Sequence, residues 1–221
     1  MVGFITFEGG DGTGKSTQIR LLEKHLIAQG KTCLTTREPG GTSLGRLLRK
    51  ILLESGHRPI SASTELFLYL ADRAQHVHEV IAPAITQGKI VLSDRHTDST
   101  VAYQGYGRGF DVQLLVSLNQ MASQGLIPDI TFLLDCPAEL GLSRTVRRRS
   151  DPSKSKSDDR FENENLEFHE KVRQGFLHMA RAEPERFHII DASRSEQEVF
   201  AAIKEIVDDE LKLSKTDHGP F

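Results

Sequence analysis

A chain of 221 residues, 38% of them hydrophobic, carries enough apolar material for one α/β domain with a full core, and no shift in composition divides it. Its net charge of −3 excludes the broad basic surface that nucleic-acid binding requires. No run approaches the roughly 18 apolar residues of a membrane span, and the N-terminus enters a strand pattern without a signal peptide. The expected location is the cytoplasm, with neither nucleic acid nor membrane as a partner. Cys33 and Cys136 then read as reduced, small core residues, and no histidine stands at zinc-ligand spacing from a cysteine or carboxylate.

Gly3-Phe4-Ile5-Thr6-Phe7 predicts a buried strand, and Ile19, Leu22 and Leu26 put an apolar stripe on a following helix. Between them lies Gly9-Gly10-Asp11-Gly12-Thr13-Gly14-Lys15-Ser16-Thr17, in which Gly9, Gly14, Lys15 and Ser16 satisfy G-x-x-x-x-G-K-[ST]. The glycines permit a loop whose amides point inward, and the helix start adds unpaired N–H groups and the positive end of its dipole. Lys15 can reach β- and γ-phosphates, and the Ser16 hydroxyl can ligate Mg²⁺. The stretch predicts a cradle for a nucleoside polyphosphate.

Gly30 stops the first helix, and Lys31 to Thr36 predicts a second strand running into the turn-rich Arg37-Glu38-Pro39-Gly40-Gly41-Thr42. Helical spacing follows at Leu44, Leu47, Leu48, Ile51 and Leu52, then again from a cap at Ser63 through Leu66, Leu70, Val77 and Ile81. Ile90-Val91-Leu92 is the third strand and delivers Asp94-Arg95. Ser99–Gln104 and Gln113–Ser123 read as helices separated by Gly105-Tyr106-Gly107-Arg108-Gly109, and Asp129–Leu134 as the fourth strand. Pro137 opens a helix at the first helical position, with Leu140 and Val146 inward. Residues 147–160 hold no apolar side chain except Pro152 and predict a mobile, cationic lid. A helix over Leu166–Ala182, a fifth strand Phe187–Ile190 and a terminal helix with Val199, Ile203 and Ile206 complete a single domain, residues 1–213, with a frayed tail over 214–221.

Short apolar strands alternating with helices predict an α/β fold with a parallel sheet covered on both faces. Sites in such sheets form at the carboxyl ends of the strands. Asp11, Arg37-Glu38, Asp94-Arg95 and the loop after Leu134 all fall there. Asp94, following an apolar strand, suits a Mg²⁺ ligand, with capping of the next helix as its other possible use. Arg37 and Arg95 suit bidentate clamping of an acceptor phosphate. Tyr69 and Arg73, at i and i+4, could form a cation–π pair on a core helix.

The combination of Phe7 through Thr17, Arg37 through Thr42, Ala71-Asp72-Arg73-Ala74-Gln75-His76 and Asp94-Arg95-His96 with Ser99 and Ala102-Tyr103-Gln104-Gly105 resembles the thymidylate kinases, over about residues 3 to 210. The resemblance implies a P-loop NTPase fold with five parallel strands and a lid, and transfer of the γ-phosphoryl of ATP to dTMP with Mg²⁺ by a homodimer. It implies that Gly9, Gly10, Asp11, Gly12, Thr13, Gly14, Lys15, Ser16, Thr17 and Arg144 bind ATP, Arg144 at the adenine. It implies a dTMP site of Asp11 at the sugar 3′-hydroxyl, Arg37 and Arg95 at the phosphate, Tyr69 and Arg73 at the base, and Ser99, Thr100, Tyr103 and Gln104. Asp11, Lys15 and Arg95 are the implied catalytic residues, with Ser16 and Asp94 at the metal. Family members that carry an arginine inside the phosphate loop have it where this chain has Gly12, so the resemblance is to the type whose lid supplies it, here Arg148 or Arg149. The helices over 44–52 and 66–81 are the candidates for the dimer face. Two other functions stay open to the phosphate loop alone: a deoxynucleoside kinase, which has little use for two phosphate-clamping arginines, and a GTP switch, whose Asn-Lys-x-Asp signature is not in the sequence.

Overall fold

The structure, a computed structural model, describes residues 2–53, 59–149 and 160–216, with the side chains at 148, 149, 162, 163 and 213–216 outside the description. Five parallel strands, β1 (Phe4–Glu8), β2 (Cys33–Arg37), β3 (Ile90–Asp94), β4 (Ile130–Asp135) and β5 (Phe187–Asp191), lie in the order β2-β3-β1-β4-β5. The three central strands are buried almost throughout, which is why they read as continuous apolar runs, whereas the edge strands β2 and β5 are partly exposed.

Strand side chains alternate between faces, so Ile5 and Phe7 pack with helices α1 (Lys15–Ala28) and α9 (Glu196–Thr216) through Leu22, Leu26, Ile203 and Val207. Glu8, of the other parity, turns towards the opposite layer, where Thr6 meets Thr131 across the strands at 2.8 Å. That layer holds α2 (Ser43–Leu53), α3 (Ala62–His76), α5 (Thr97–Thr100), α6 (Val112–Ala122) and α8 (Leu166–Ala182), with Leu52, Leu66, Leu115, Val172 and Phe176 in a second core. Burying each such leucine contributes about 1.5–3 kcal/mol. A polar face on this side of the sheet is therefore set among apolar helices, and that arrangement makes room for a site.

Local chemistry corrects several expected boundaries. The cap of α3 is Ser61, whose hydroxyl accepts from the Thr64 amide at 3.1 Å, and Ser63 lies inside the helix. The predicted helix through Ile81 widens into a π turn over Val77–Ile81 before α4 (Ala82–Thr86), where Pro83 has no N–H to give back to Glu79. A second π turn, Val101–Gly107, absorbs Gly105-Tyr106-Gly107, which the glycine count placed in a linker. Helix α7 is Ala138–Arg149, and Pro137 precedes it as the residue whose carbonyl takes the first helical bonds. Leu140 packs on the core, but Val146 is 61% exposed, because α7 turns only part of its circumference to the sheet.

The backbone over 147–149 belongs to α7 rather than to a loop, and the rest of the expected lid, 150–159, lies outside the described residues. Arg160 is already in a 3₁₀ turn, Arg160–Asn163. Helix α9 runs on through Thr216, past the expected start of the frayed tail, and 217–221 lie outside the description. Both cysteines are free thiols, and no helix among the described residues is long and apolar enough to cross a membrane.

Candidate active site

A cleft of about 530 Å³ opens at the carboxyl ends of β1, β2 and β3. Its walls come from Asp11, Gly12, Gly14, Lys15, Ser16 and Thr17 of the phosphate loop, from Arg37, Asp94 and Arg95 at strand ends, and from Tyr69, Arg73, Ser99, Thr100, Tyr103 and Gln104. Residues expected on separate motifs thus share one cavity. Gly9, Gly10 and Thr13 line the reverse of the loop, against a pocket of about 20 Å³ beneath α7 and α8. Arg144 is not on the cleft wall; its Nη1 donates to the Ala192 carbonyl at 2.8 Å.

The loop closes on itself. Lys15 Nζ donates to the carbonyls of Gly9 (3.1 Å) and Gly10 (2.7 Å), and burial together with the Arg95 charge pushes its ammonium down to about 8. Gly12 has φ +74°, and a Cβ built there would run into the Gly141 carbonyl of α7. No side chain fits at that position, so an arginine cannot be accommodated inside this loop. Ser16 Oγ donates to Asp94 Oδ2 at 2.6 Å, which brings together the two oxygens expected at a metal.

Arg95 is the hub of the cleft. It holds φ +75°, a strained conformation for a non-glycine residue, and its guanidinium donates to the Gly9 carbonyl (2.9 Å), Ser99 Oγ (3.1 Å), Asp11 Oδ1 (2.7 Å) and Tyr103 Oη (3.2 Å). Tyr103 also donates to Asp11 Oδ2 at 3.2 Å. Burial would raise the Asp11 carboxyl, but Arg95, Lys15 and His169 outweigh it and hold Asp11 below its ordinary value. Glu8 behaves in the opposite way. Burial, reinforced by Asp98, pushes it up to about 8, although Arg95 and hydrogen bonds from Ser99 Oγ (2.6 Å) and the His96 amide (2.7 Å) pull it down.

Arg73 is 1% exposed, and its fork is fixed by Glu38 Oε2 (2.9 Å), Thr100 Oγ1 (2.8 Å), Asn119 Oδ1 (2.6 Å) and the His96 carbonyl (2.9 Å). Nε and both Nη1 hydrogens are engaged and Nη2 makes one bond, which leaves one Nη2 N–H without a partner among the described residues. Glu38 in turn receives His76 Nδ1 (3.0 Å) and His96 Nδ1 (3.1 Å) on its other oxygen. Burial works against that carboxylate, but Arg73 and His96 charge and the imidazole hydrogen bonds hold it well below its ordinary range. The Tyr69–Arg73 spacing is therefore not a cation–π pair: the arginine is tied into a polar network, and Tyr69 faces Phe161 with ring centroids 6.4 Å apart.

Several wall residues belong to no sequence motif. Phe161 lines the cleft beside Tyr103 (5.1 Å between ring centroids), and its only sequence signal is that it is the first apolar residue after the cationic stretch. Arg49, which donates to the Pro39 carbonyl at 2.9 Å, and Leu53 also line it. The Arg148 and Arg149 side chains lie outside the described residues.

The chain that builds this cleft is similar to known proteins along almost its whole length. The family model for thymidylate kinase matches residues 7–203. The thymidylate kinase of Geotalea uraniireducens is 52% identical over 200 residues, covering 90% of this chain and 93% of that protein. That of Synechococcus sp. is 49% identical over 217 residues, covering 98% of this chain and all of its own. A crystal structure of thymidylate kinase from Ehrlichia chaffeensis superposes with a TM-score of 0.75 at 34% identity, covering 93% of this chain and 98% of the other. On the match of sequence along almost its whole length, and of fold with it, the chain belongs to the thymidylate kinase family.

Proposed function

We propose that this protein transfers the γ-phosphoryl of ATP to dTMP, giving dTDP and ADP. The observation that carries the substrate assignment is the continuity of one cleft from the phosphate loop, through Arg37 and Arg95, to Tyr69, Arg73, Tyr103 and Gln104. The loop with Lys15 takes the ATP phosphates, and Lys15 exchanges its loop carbonyls for phosphate oxygens. Arg95 and Arg37 hold the phosphate of dTMP, and Asp11, oriented by Arg95 and Tyr103, accepts from the sugar 3′-hydroxyl. Tyr69 and Phe161 supply ring faces for the base. Arg148 or Arg149 brings the positive charge for which Gly12 leaves no space. For Arg144 at the adenine the support is the family resemblance alone, since its guanidinium donates to the Ala192 carbonyl and does not line the cleft.

Ser16 and Asp94 present hard oxygens side by side, and no cluster of three carboxylate, histidine or cysteine ligands occurs among the described residues, which suits Mg²⁺ held jointly by one or two side chains and substrate phosphates. When bound, Mg²⁺ neutralises charge on the β- and γ-phosphoryl oxygens.

ADP release measured across dTMP, dCMP, dGMP and AMP tests the assignment. dTMP is expected to have the highest kcat/KM, with weaker activity on dUMP, since a pocket discriminates a single methyl by only about 1–3 kcal/mol. Equal turnover of dTMP and the other three would refute it.

The enzyme acts in the cytoplasm as a homodimer. Leu44, Leu47 and Ile51 on α2, Phe67 on α3, and Leu114 and Met121 on α6 are all exposed, on helices that pack on one another in sequence, and they supply an apolar face for a second copy. Static light scattering is expected to give twice the chain mass, and a monomer at micromolar concentration would rule this out.

A further inference from the structure

Among the cleft residues, Gln104 is the one whose orientation decides what the pocket offers a base. It sits on the π turn, 2% exposed, and its Nε2 donates to Glu65 Oε1 at 2.8 Å. Glu65 is itself 1% exposed and lies on α3 four residues before Tyr69 and eight before Arg73, on the same helix face. Two guanidiniums close on it: Arg108, through Nε at 3.4 Å and Nη2 at 3.3 Å, and Arg160 through Nη2. Arg108 is balanced by Glu164 at 2.7 Å. Glu65 is thus a buried carboxylate with its charge compensated and both oxygens occupied as acceptors.

We propose that Glu65 is a positioning residue: it fixes the Gln104 amide with its N–H side inward, leaves the Gln104 carbonyl for the cleft, and so selects a pyrimidine that carries hydrogen on N3. A flipped amide would set Gln104 Oε1 against Glu65 Oε1, oxygen against oxygen. Gln104 Oε1 has no hydrogen-bond partner among the described residues, and Gln104 lines the cleft. The remaining Nη2 N–H of Arg73 supplies the complementary donor. A donor from Arg73 beside an acceptor from Gln104 matches thymine or uracil, which present O4 as an acceptor and N3–H as a donor. Cytosine reverses both groups, with an amino donor at C4 and a bare N3 acceptor, and would leave buried polar groups opposed. This inference rests on the dTMP kinase function proposed above and assigns the residue that sets its base selectivity.

The test is kcat/KM for dTMP, dUMP and dCMP with ATP, in the wild type and in Glu65→Gln, whose amide can accept or donate and so frees Gln104 to turn. The expected result is a dTMP-to-dCMP preference lowered about tenfold or more, with the dTMP-to-dUMP preference and KM for ATP unchanged. A loosened pocket would lower methyl discrimination as well, so parallel changes in both ratios overturn the proposal, as does an unchanged dCMP ratio. If Glu65→Gln fails to fold, Gln104→Met decides: the same asymmetric loss supports the proposal, and an unaltered dTMP-to-dCMP ratio overturns it. A wild-type chain that does not phosphorylate dTMP refutes the function itself, which is visible before any variant is made.

Discussion

Arg95→Ala is expected to lower kcat/KM for dTMP by about 10²–10³-fold, while ATP affinity measured by calorimetry changes little. The half-buried guanidinium lies between Asp11 and Ser99, and the scaffold accepts φ +75° at this residue to place it there. Removing it deletes a phosphate donor and also the charge that holds Asp11 ionised against burial. Both losses fall mainly on the acceptor: Lys15 shares the Gly9 carbonyl with Arg95 but keeps its own bonds to Gly9 and Gly10, and removing a neighbouring positive charge favours its ammonium form. Arg95→Lys should recover only a small part of the loss, since an ammonium cannot reproduce a fork that reaches Gly9, Ser99, Asp11 and Tyr103 together. Equal losses for ATP and dTMP would contradict the assignment.

Glu38→Gln is expected to destabilise the fold by about 3–5 kcal/mol, the usual consequence of removing one partner from a buried pair, and to lower Tm by roughly 6–20 °C for a chain of this size. Arg73 and His96, both buried, would lose the carboxylate that faces them. The pH dependence carries a definite sign. The Glu38 carboxyl is held well below its ordinary value of 4.5 in the folded state, so its contribution is fully present above that value and is lost as pH falls through the depressed one. Urea unfolding of the wild type should therefore show stability falling below about pH 4.5, and Glu38→Gln should lack this part of the acid sensitivity. A variant with wild-type Tm and an unchanged acid limb would contradict the role of Glu38 as the centre of this network.

The elements that local chemistry dictates were legible in the sequence. Central strands announce themselves as apolar runs because both their faces are covered, and the phosphate loop does so because few residues other than glycine tolerate its backbone. Strand ends then placed Asp11, Arg37, Asp94 and Arg95 at one edge, and the cleft contains all four. What stayed hidden depends on partners far along the chain. Glu38 meets Arg73 35 residues away and His96 58 residues away, and Glu65 meets Arg160 across 95 residues. No periodicity encodes such pairs. The resemblance to a family named Arg73 and Gln104, but their orientation comes from Glu38, which the strand-end pattern placed near the site without a role, and from Glu65, an acidic residue in the first turn of an amphipathic helix with nothing in the spacing to mark it. Val146 failed for the converse reason: its spacing is helical, but nothing in the spacing says which side of α7 the core occupies. Gly12 was visible as a missing arginine, and only the approach of Gly141 shows why none fits.

As proposed above, the cleft is built around an acceptor that already carries a phosphate. Chromatographic product analysis with ATP, Mg²⁺ and either dTMP or thymidine tests it most directly. Formation of dTDP from dTMP with stoichiometric ADP, and no phosphorylation of thymidine, is the predicted result. Conversion of thymidine to dTMP at a comparable rate, or ADP release that is independent of any acceptor, would contradict it.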